Sequence, residues 1–189
     1  HQSGARHGHS AVHDDEGLRT LLIGGVTNMS DGFVMSLADE GGADWEPIGT
    51  LGKTQPAQRT SAAVAMANGV VVIVGGHPVG EPGSDTVGLN DAWRYESVTD
   101  LWTSFPLPEG VPTLAGAFLV PNQGETWRLG GGHSQAPVSW RQSWPLDVSA
   151  MSWGAELAWS GLAPRTGATV VVDRATARTW VMGGSRMPS

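Results

Sequence analysis

The sequence contains no cysteine, and this absence excludes two kinds of structure. Without thiols the chain forms no disulfide bond, and it offers no thiolate ligand to a metal ion. The cellular compartment stays open, because cysteine-free chains occur on both sides of a membrane. Any core must therefore be stabilised without disulfide bonds or thiolate-bound metal ions.

Positive charge and long apolar runs are also scarce. Lysine and arginine number 11 against 18 acidic residues, which gives a formal net charge of −7, and Lys53 is the only lysine. Binding to nucleic-acid phosphates depends on a surplus of cations, so nucleic acid is not a predicted partner. No apolar run approaches the roughly 20 residues that a membrane-spanning helix needs. An apolar content of 40% is nevertheless enough for a globular core.

Glycine and tryptophan are abundant, at 27 and 9 residues, and both recur at regular spacing. Pairs of glycines end four short apolar runs, at separations of 51, 56 and 52 residues: Gly24 with Gly25, Gly75 with Gly76, Gly131 with Gly132, and Gly183 with Gly184. A period near fifty residues indicates a repeated structural unit. A glycine pair at the end of a strand permits positive φ and a close approach of neighbouring backbone.

A tryptophan follows an acidic residue by six positions in each of the first three units. The pairs are Asp39 and Trp45, Glu96 and Trp102, and Asp147 and Trp153. A ring of this size is expected to fill the wedge between adjacent sheets, where its burial contributes a few kcal/mol. The same spacing aligns Ala38 with Tyr95 and Leu146, and four other tryptophans align as Trp93 with Trp144 and Trp127 with Trp180.

An arginine opens three of the four units, 16 or 18 residues before the glycine pair: Arg6, Arg59 and Arg165. In the third unit, Pro112 and Thr113 stand where the arginine is expected. Short apolar runs bounded by turn residues then predict four strands per unit. In the first unit these strands cover residues 8–13, 20–23, 33–37 and 44–48.

Together these marks resemble the kelch repeat, and the segment 89–102 is the nearest single match. The resemblance implies an all-β protein, a kelch-type β-propeller in which each unit forms one blade, a four-stranded antiparallel sheet. The blades span residues 6–52, 59–108 and 112–160, and a partial fourth, 164–189, has only its two inner strands.

Three and a half blades make an incomplete propeller ring, because such rings usually contain four to eight blades. Three explanations remain open. The residues can belong to a longer polypeptide with further blades, another chain can complete the ring as a second copy or a different partner, or the chain can form a miniature four-bladed ring.

The loop before the first strand and the loop after the second strand emerge on one face of such a ring, which we call the loop face. It collects cationic and histidine side chains: Arg6, His7, Arg59, His77, His133, Arg165 and Arg186. We predict that this face binds a carboxylate or an acidic peptide through the forked donors of arginine. Replacing Arg59 and Arg165 by alanine is then expected to weaken binding while the fold is preserved. The alternative is that each repeated arginine bonds the backbone of its own blade.

Trp140 matches no repeated position and is a further candidate for the ligand site. It lies in a long loop beside Arg141, where it can serve as an exposed stacking platform for a sugar or a peptide. The alternative is that its side chain folds back over the blade.

Metal and nucleophile chemistry are not predicted. Three histidines cluster near the start of the chain, at positions 7, 9 and 13, but His9 occupies an ordinary repeat position. Glu81 and Asp85 resemble the start of the iron motif of kelch-type specifier proteins, but Leu89 stands where that motif has a histidine. The copper-radical oxidases of this fold require a crosslinked cysteine, and no serine has the glycine spacing of a nucleophile elbow.

The sequence therefore predicts a noncatalytic scaffold that recognises an anionic or peptide ligand on the loop face. Its partners would be a protein or carbohydrate ligand together with additional propeller blades, and no cofactor is expected. The alternative is a part of a kelch-type enzyme that acts on a carbohydrate or a sialic-acid-like metabolite.

Overall fold

The structure is a computed structural model, and its regular elements are all β-strands within the residues it describes. The described residues are 6–14, 18–26, 32–37, 43–49, 51, 54–79, 88–109, 111, 114–121, 126–133, 142–158, 165–173, 175–176 and 178–186. Every strand pairing in them is antiparallel. The all-β prediction is confirmed, and none of these residues belongs to a helix that could cross a membrane.

The strands form three larger sheets and a terminal hairpin, each within one period of the sequence. The first sheet has the order β1 (His7–Asp14), β2 (Arg19–Val26), β3 (Gly32–Leu37), β4 (Ala43–Pro47). The second sheet has the order β6 (Ala63–Ala67), β7 (Val70–Val74), β9 (Ala92–Glu96), β10 (Leu101–Phe105). Next to it, two short strands pair with each other over two residues each: β5 (Arg59–Thr60) and β8 (His77–Pro78).

The third sheet is β11 (Ala115–Val120), β12 (Thr126–His133), β13 (Gln142–Asp147), β14 (Ser152–Trp153), with β15 (Leu157–Ala158) also paired to β13. The hairpin is β16 (Arg165–Asp173) with β17 (Arg178–Arg186). Local sequence explains the connections. Asn68 and Gly69 join β6 to β7, and both have positive φ, as a two-residue hairpin turn requires.

The first strands of the four units lie side by side in chain order. Strand β1 contacts β6, β6 contacts β11, and β11 contacts β16. These four strands line a central hollow of about 710 Å³. The sheets therefore stack face against face around the hollow, and β1 and β16 lie at the two ends of the series.

Side chains alternate between the two faces of each sheet, and this alternation builds two core clusters. In β7, Val71 and Ile73 join the cluster shared with the first sheet, whereas Val72 and Val74 join the cluster shared with the third. The second sheet is thus covered on both faces.

The glycine pairs mark the places where one sheet meets the start of the next. All eight glycines have positive φ. A Cβ on Gly24 would lie 2.7 Å from the carbonyl oxygen of Arg59, and one on Gly131 would lie 2.7 Å from that of Arg165. Since real Cβ atoms do not approach a backbone atom so closely, the predicted close approach of neighbouring sheets is present, and only glycine fits it.

The third unit aligns differently from the sequence prediction. In the second unit, the first glycine of the pair, Gly75, faces the carbonyl oxygen of Leu114, as Gly24 faces that of Arg59. The Leu114 oxygen also accepts a hydrogen bond from the Gly76 amide at 2.6 Å. The residue equivalent to the repeated arginine is therefore Leu114, and not Pro112 or Thr113, which lie outside the described residues. Leu114 is buried, so a core side chain replaces the arginine here.

Two of the three repeated tryptophans occupy equivalent positions between sheets. Trp102 lies in the core between the first and second sheets, with its ring centroid 5.0 Å from that of Tyr95. Trp153 packs between the second and third sheets, stacked on Phe105, and its indole nitrogen donates to the Pro106 carbonyl at 2.9 Å. Trp45 is half-buried and lies outside both core clusters of the described residues.

The strand register shows that two of the alignments made from the sequence are wrong. Trp45 pairs with Met35, whereas Trp102 and Trp153 pair with Tyr95 and Leu146, so Met35 and not Ala38 is the equivalent residue. Ala38 and Asp39 lie outside the described residues.

Trp127 and Trp180 are also not equivalent, because Trp127 lies four residues before its glycine pair and Trp180 only three. A shift of one residue reverses the face of a strand. Accordingly, Trp127 is 1% exposed and Trp180 is 52% exposed.

Candidate functional site

The repeated arginines bond the backbone of their own unit. The Nη1 atoms of Arg6, Arg59 and Arg165 donate to the carbonyl oxygens of Gly24, Gly75 and Gly183 at 3.0, 3.0 and 2.9 Å. Each arginine thereby ties the start of its first strand to the end of its second. These bonds agree with the alternative interpretation, in which each repeated arginine bonds the backbone of its own unit.

Arg59 is additionally neutralised by a carboxylate. Its Nη1 and Nη2 atoms donate to the two oxygens of Asp91 at 2.6 and 2.8 Å, and the guanidinium is only 2% exposed. Trp93 donates its indole N–H to Asp91 at 2.7 Å. Burial by itself would raise the pKa of Asp91, but the hydrogen bonds from Arg59 and Trp93 and the adjacent positive charge together hold this pKa below its ordinary value.

This pairing alters the expectation for Arg59. Asp91 and two backbone carbonyls, those of Ala57 and Gly75, already accept four of the five guanidinium N–H donors, and the side chain is only 2% exposed, so little of it is accessible to an incoming anion. Removing the side chain would leave the Asp91 carboxylate without its partner. Replacement of Arg59 by alanine is therefore expected to lower the stability of the fold, so this substitution does not test ligand binding by itself.

A second hollow, of about 540 Å³, opens at the end of the central hollow where the first strands begin, and we call it the mouth. Three hydroxyl side chains line it, those of Ser61, Thr166 and Ser185, next to His77. The rest of the lining is alanine and glycine, so the floor is largely backbone. The position two residues after the opening arginine, or after Leu114 in the third unit, has positive φ in every unit: Gly8, Ser61, Gly116 and Gly167.

His77 is the site residue that the structure places most directly at the mouth. It follows Gly76 at the end of the second sheet's second strand and pairs with Thr60. Its Nδ1 atom is buried and has no hydrogen-bond partner within the described part of the chain. Leaving a buried polar atom unpaired costs about 1–3 kcal/mol, which a ligand group that reached it would recover.

The other predicted site residues divide into three groups. His7 is exposed at the start of β1 and is not part of the mouth lining. The backbones of His133 and Arg186 lie at the same end of the fold as the mouth, paired with Ala115 and Arg165 respectively. Trp140 lies outside the described residues.

Sequence reasoning missed the hydroxyl groups of the mouth. Thr166 directly follows a repeated arginine, as Thr60 does, and Ser61 is the one non-glycine residue at its positive-φ position. A sequence signal for these groups exists, namely a small polar residue one or two positions after the arginine. The functional interpretation considered only the arginine. Among the residues described, no three histidine, aspartate or glutamate side chains form a group that could hold a metal ion.

No protein-family model matches this sequence, and none of the curated proteins matches it either. The functional reading therefore depends on the geometry of the mouth and of the sheets.

Proposed function

We propose that the chain is a segment of a kelch-type β-propeller that acts as a noncatalytic binding scaffold, with the mouth on its loop face receiving an anionic peptide group. Antiparallel sheets stacked around a central hollow, with their first strands innermost, support the propeller assignment. In this assignment the three sheets are complete blades, and the β16–β17 hairpin is the inner half of a fourth.

One observation carries the ligand proposal, namely the unpaired Nδ1 of His77 beside a hollow lined by three hydroxyl groups. Serine and threonine hydroxyls and an imidazole N–H are donors that a carboxylate accepts. With Arg59 paired to Asp91, the hydroxyl groups and the His77 imidazole replace the arginine fork as the recognising groups. Arg165, which is half-buried, directly precedes Thr166 of the mouth lining and supplies positive charge near the mouth.

Binding of a fluorescein-labelled oligoglutamate peptide, compared with an oligoglutamine peptide of equal length, tests the proposal. We expect the acidic peptide to bind more tightly, because only its carboxylates satisfy several donors at once. His77→Ala and Thr166→Val should each weaken this binding about tenfold, the effect of losing one hydrogen bond to a charged group.

His13→Ala is the matched control. His13 is exposed and lies on a first strand at the end remote from the mouth, where its Nδ1 lies 3.1 Å from the Thr20 hydroxyl oxygen. Its replacement should leave peptide affinity unchanged. Equal binding of the two peptides, or equal affinity of wild type and His77→Ala, would contradict the proposed function.

A further inference from the structure

Ser61 combines a place at the mouth with a backbone conformation that suits glycine. Its φ is 55°, in the left-handed region, where a residue with a Cβ is strained and glycine is not. The other described non-glycine residues with positive φ each lie in the turn between two paired strands: Leu18, Asn68, Asp100 and Met151. Ser61 lies in no such turn, and isolated backbone outliers of this kind concentrate at functional sites.

Two hydrogen bonds to neighbouring units hold the Ser61 backbone in this conformation. Its N–H donates to the Gly8 carbonyl oxygen of the first unit at 3.0 Å, and its carbonyl oxygen accepts from the Gly116 N–H of the third unit at 2.8 Å. A strained conformation persists where the surrounding structure determines it in this way. The direction of the Ser61 side chain is therefore set before a ligand arrives.

The third unit leaves room for a side chain at position 61. At two other units, a Cβ on the equivalent glycine would crowd the threonine that starts the next first strand: Gly8 against Thr60, and Gly116 against Thr166. The corresponding residue for Ser61 is Ala115, which has no hydroxyl or γ-methyl group and lines the mouth beside it. A serine Cβ thus meets a smaller neighbour at this contact than it would at the other two.

The Ser61 hydroxyl lies on the same wall of the mouth as the Nδ1 atom of His77. Ser61 is exposed, and its hydroxyl bonds none of the described residues. His77 pairs with Thr60, the residue directly before Ser61, and both Ser61 and His77 line the mouth. The described lining contains no aspartate or glutamate, so no carboxylate there opposes an anion.

We propose that Ser61 and His77 bind the same carboxylate of the acidic peptide, and that Ser61 determines the preference of the mouth for a carboxylate over an amide. The inference rests on the proposed function and deepens it. A carboxylate offers two acceptor oxygens to two adjacent donors, whereas an amide offers one oxygen and an NH₂ group that is itself a donor. Because its backbone is held in place, Ser61 loses little freedom on binding. Ser61 thus lowers the stability of the fold and raises the selectivity of the mouth.

Ser61→Gly and Ser61→Ala separate these two effects. Fluorescence anisotropy with the labelled oligoglutamate and oligoglutamine peptides measures selectivity, and thermal unfolding measures stability. Both variants lack the hydroxyl, so the ratio of the two affinities should fall about tenfold in each, the effect of one hydrogen bond to a charged group. Ser61→Gly should melt about 2 °C above Ser61→Ala, because only glycine adopts this φ without strain.

Leu18→Gly is the control for the change in backbone strain. Leu18 has a φ of 48°, is 71% exposed and lies in the turn between β1 and β2, at the end of the first strand remote from the mouth. The substitution relieves left-handed strain, as Ser61→Gly does, but it removes no group from the mouth. Its selectivity between the two peptides should equal that of the wild type.

Ser61→Ala with the selectivity of the wild type would overturn the inference, as would Ser61→Gly that melts at or below the temperature of Ser61→Ala. In either case, a wild type that prefers oligoglutamate leaves the proposed function in place. A wild type that binds both peptides equally would instead contradict the proposed function, and this inference with it.

Discussion

Arg59 connects three segments of the second sheet through a single side chain. It precedes the first strand of that sheet, donates to the carbonyl of Gly75 after the second, and forms a two-bonded ion pair with Asp91 before the third. A buried guanidinium is stable only when such partners satisfy it. Arg165 makes the equivalent bond to Gly183 but belongs to a two-stranded unit, where the third strand that would carry an aspartate is not part of the hairpin.

Replacement of each arginine by alanine should separate the two roles. Arg59→Ala is expected to lower the free energy of unfolding by about 3 kcal/mol, near the lower end for breaking a buried pair because Asp91 is about a third exposed. Arg165→Ala should cost only about 1 kcal/mol, since its bond to Gly183 is exposed. Denaturant unfolding measures both, and equal losses would contradict this assignment.

The sequence could identify these arginines as repeated residues but not what they bond. Asp91 lies 32 positions after Arg59, and no spacing rule within a single unit links them. Without that partner, the arginines look like a free cationic cluster. The mouth was missed for a related reason, since its hydroxyl groups come from two different units and become neighbours only when the sheets stack.

At the scale of the element, the two glycines of each pair have different roles. The first faces the following sheet, as Gly24 faces Arg59, whereas the second faces its own first strand, as Gly25 faces His7 and His9. Both adopt positive φ, which explains why the pair is retained as a unit. The period of the pairs could therefore be read from the sequence, and so could the close approach that they permit.

Gly24→Ala and Gly183→Ala form a matched pair for measuring that close approach. Both substitutions impose the same left-handed strain, about 1–2 kcal/mol, because the φ angles are 69° and 67°. Only Gly24→Ala also forces a methyl group against the Arg59 carbonyl, so its loss of stability should be larger by about 1–3 kcal/mol, the usual cost of overpacking. Thermal or denaturant unfolding gives the difference, and equal losses would show that the sheets do not meet there.

The sequence does not determine the register of the strands. The acidic residue and tryptophan stand six apart in all three units, yet the strand pairing places Met35 opposite Trp45, so the first unit has a longer connection between its third and fourth strands. Trp127 and Trp180 are the same residue type in corresponding strands, but their distances from the glycine pair differ by one residue. Because side chains alternate, that single position decides whether an indole is buried or exposed.

At the scale of the whole molecule, burial is graded along the series of sheets. The second sheet has a neighbour on each face, and Val71, Val72, Ile73 and Val74 are at most 1% exposed. The hairpin is covered on one face only. In a stack where each unit contacts only its neighbours, local stability follows the number of faces that are covered.

Hydrogen exchange should therefore differ between β7 and β17. We expect amides of β7 to exchange at least about tenfold more slowly than those of β17, because β17 opens without disturbing either core cluster. Mass spectrometry of peptides that cover the two strands measures the ratio. Uniform protection of both strands would mean that the chain opens only as a whole.

The alternation of faces also has a consequence for how such a chain can change over generations. Residues that share a core cluster, such as Leu21 and Val71, belong to different repeats, whereas neighbours within one strand serve different contacts. A substitution on one side of such a contact would have to be matched in the adjoining repeat. Correlated change is therefore expected between successive repeats and not among the equivalent positions that make them look alike.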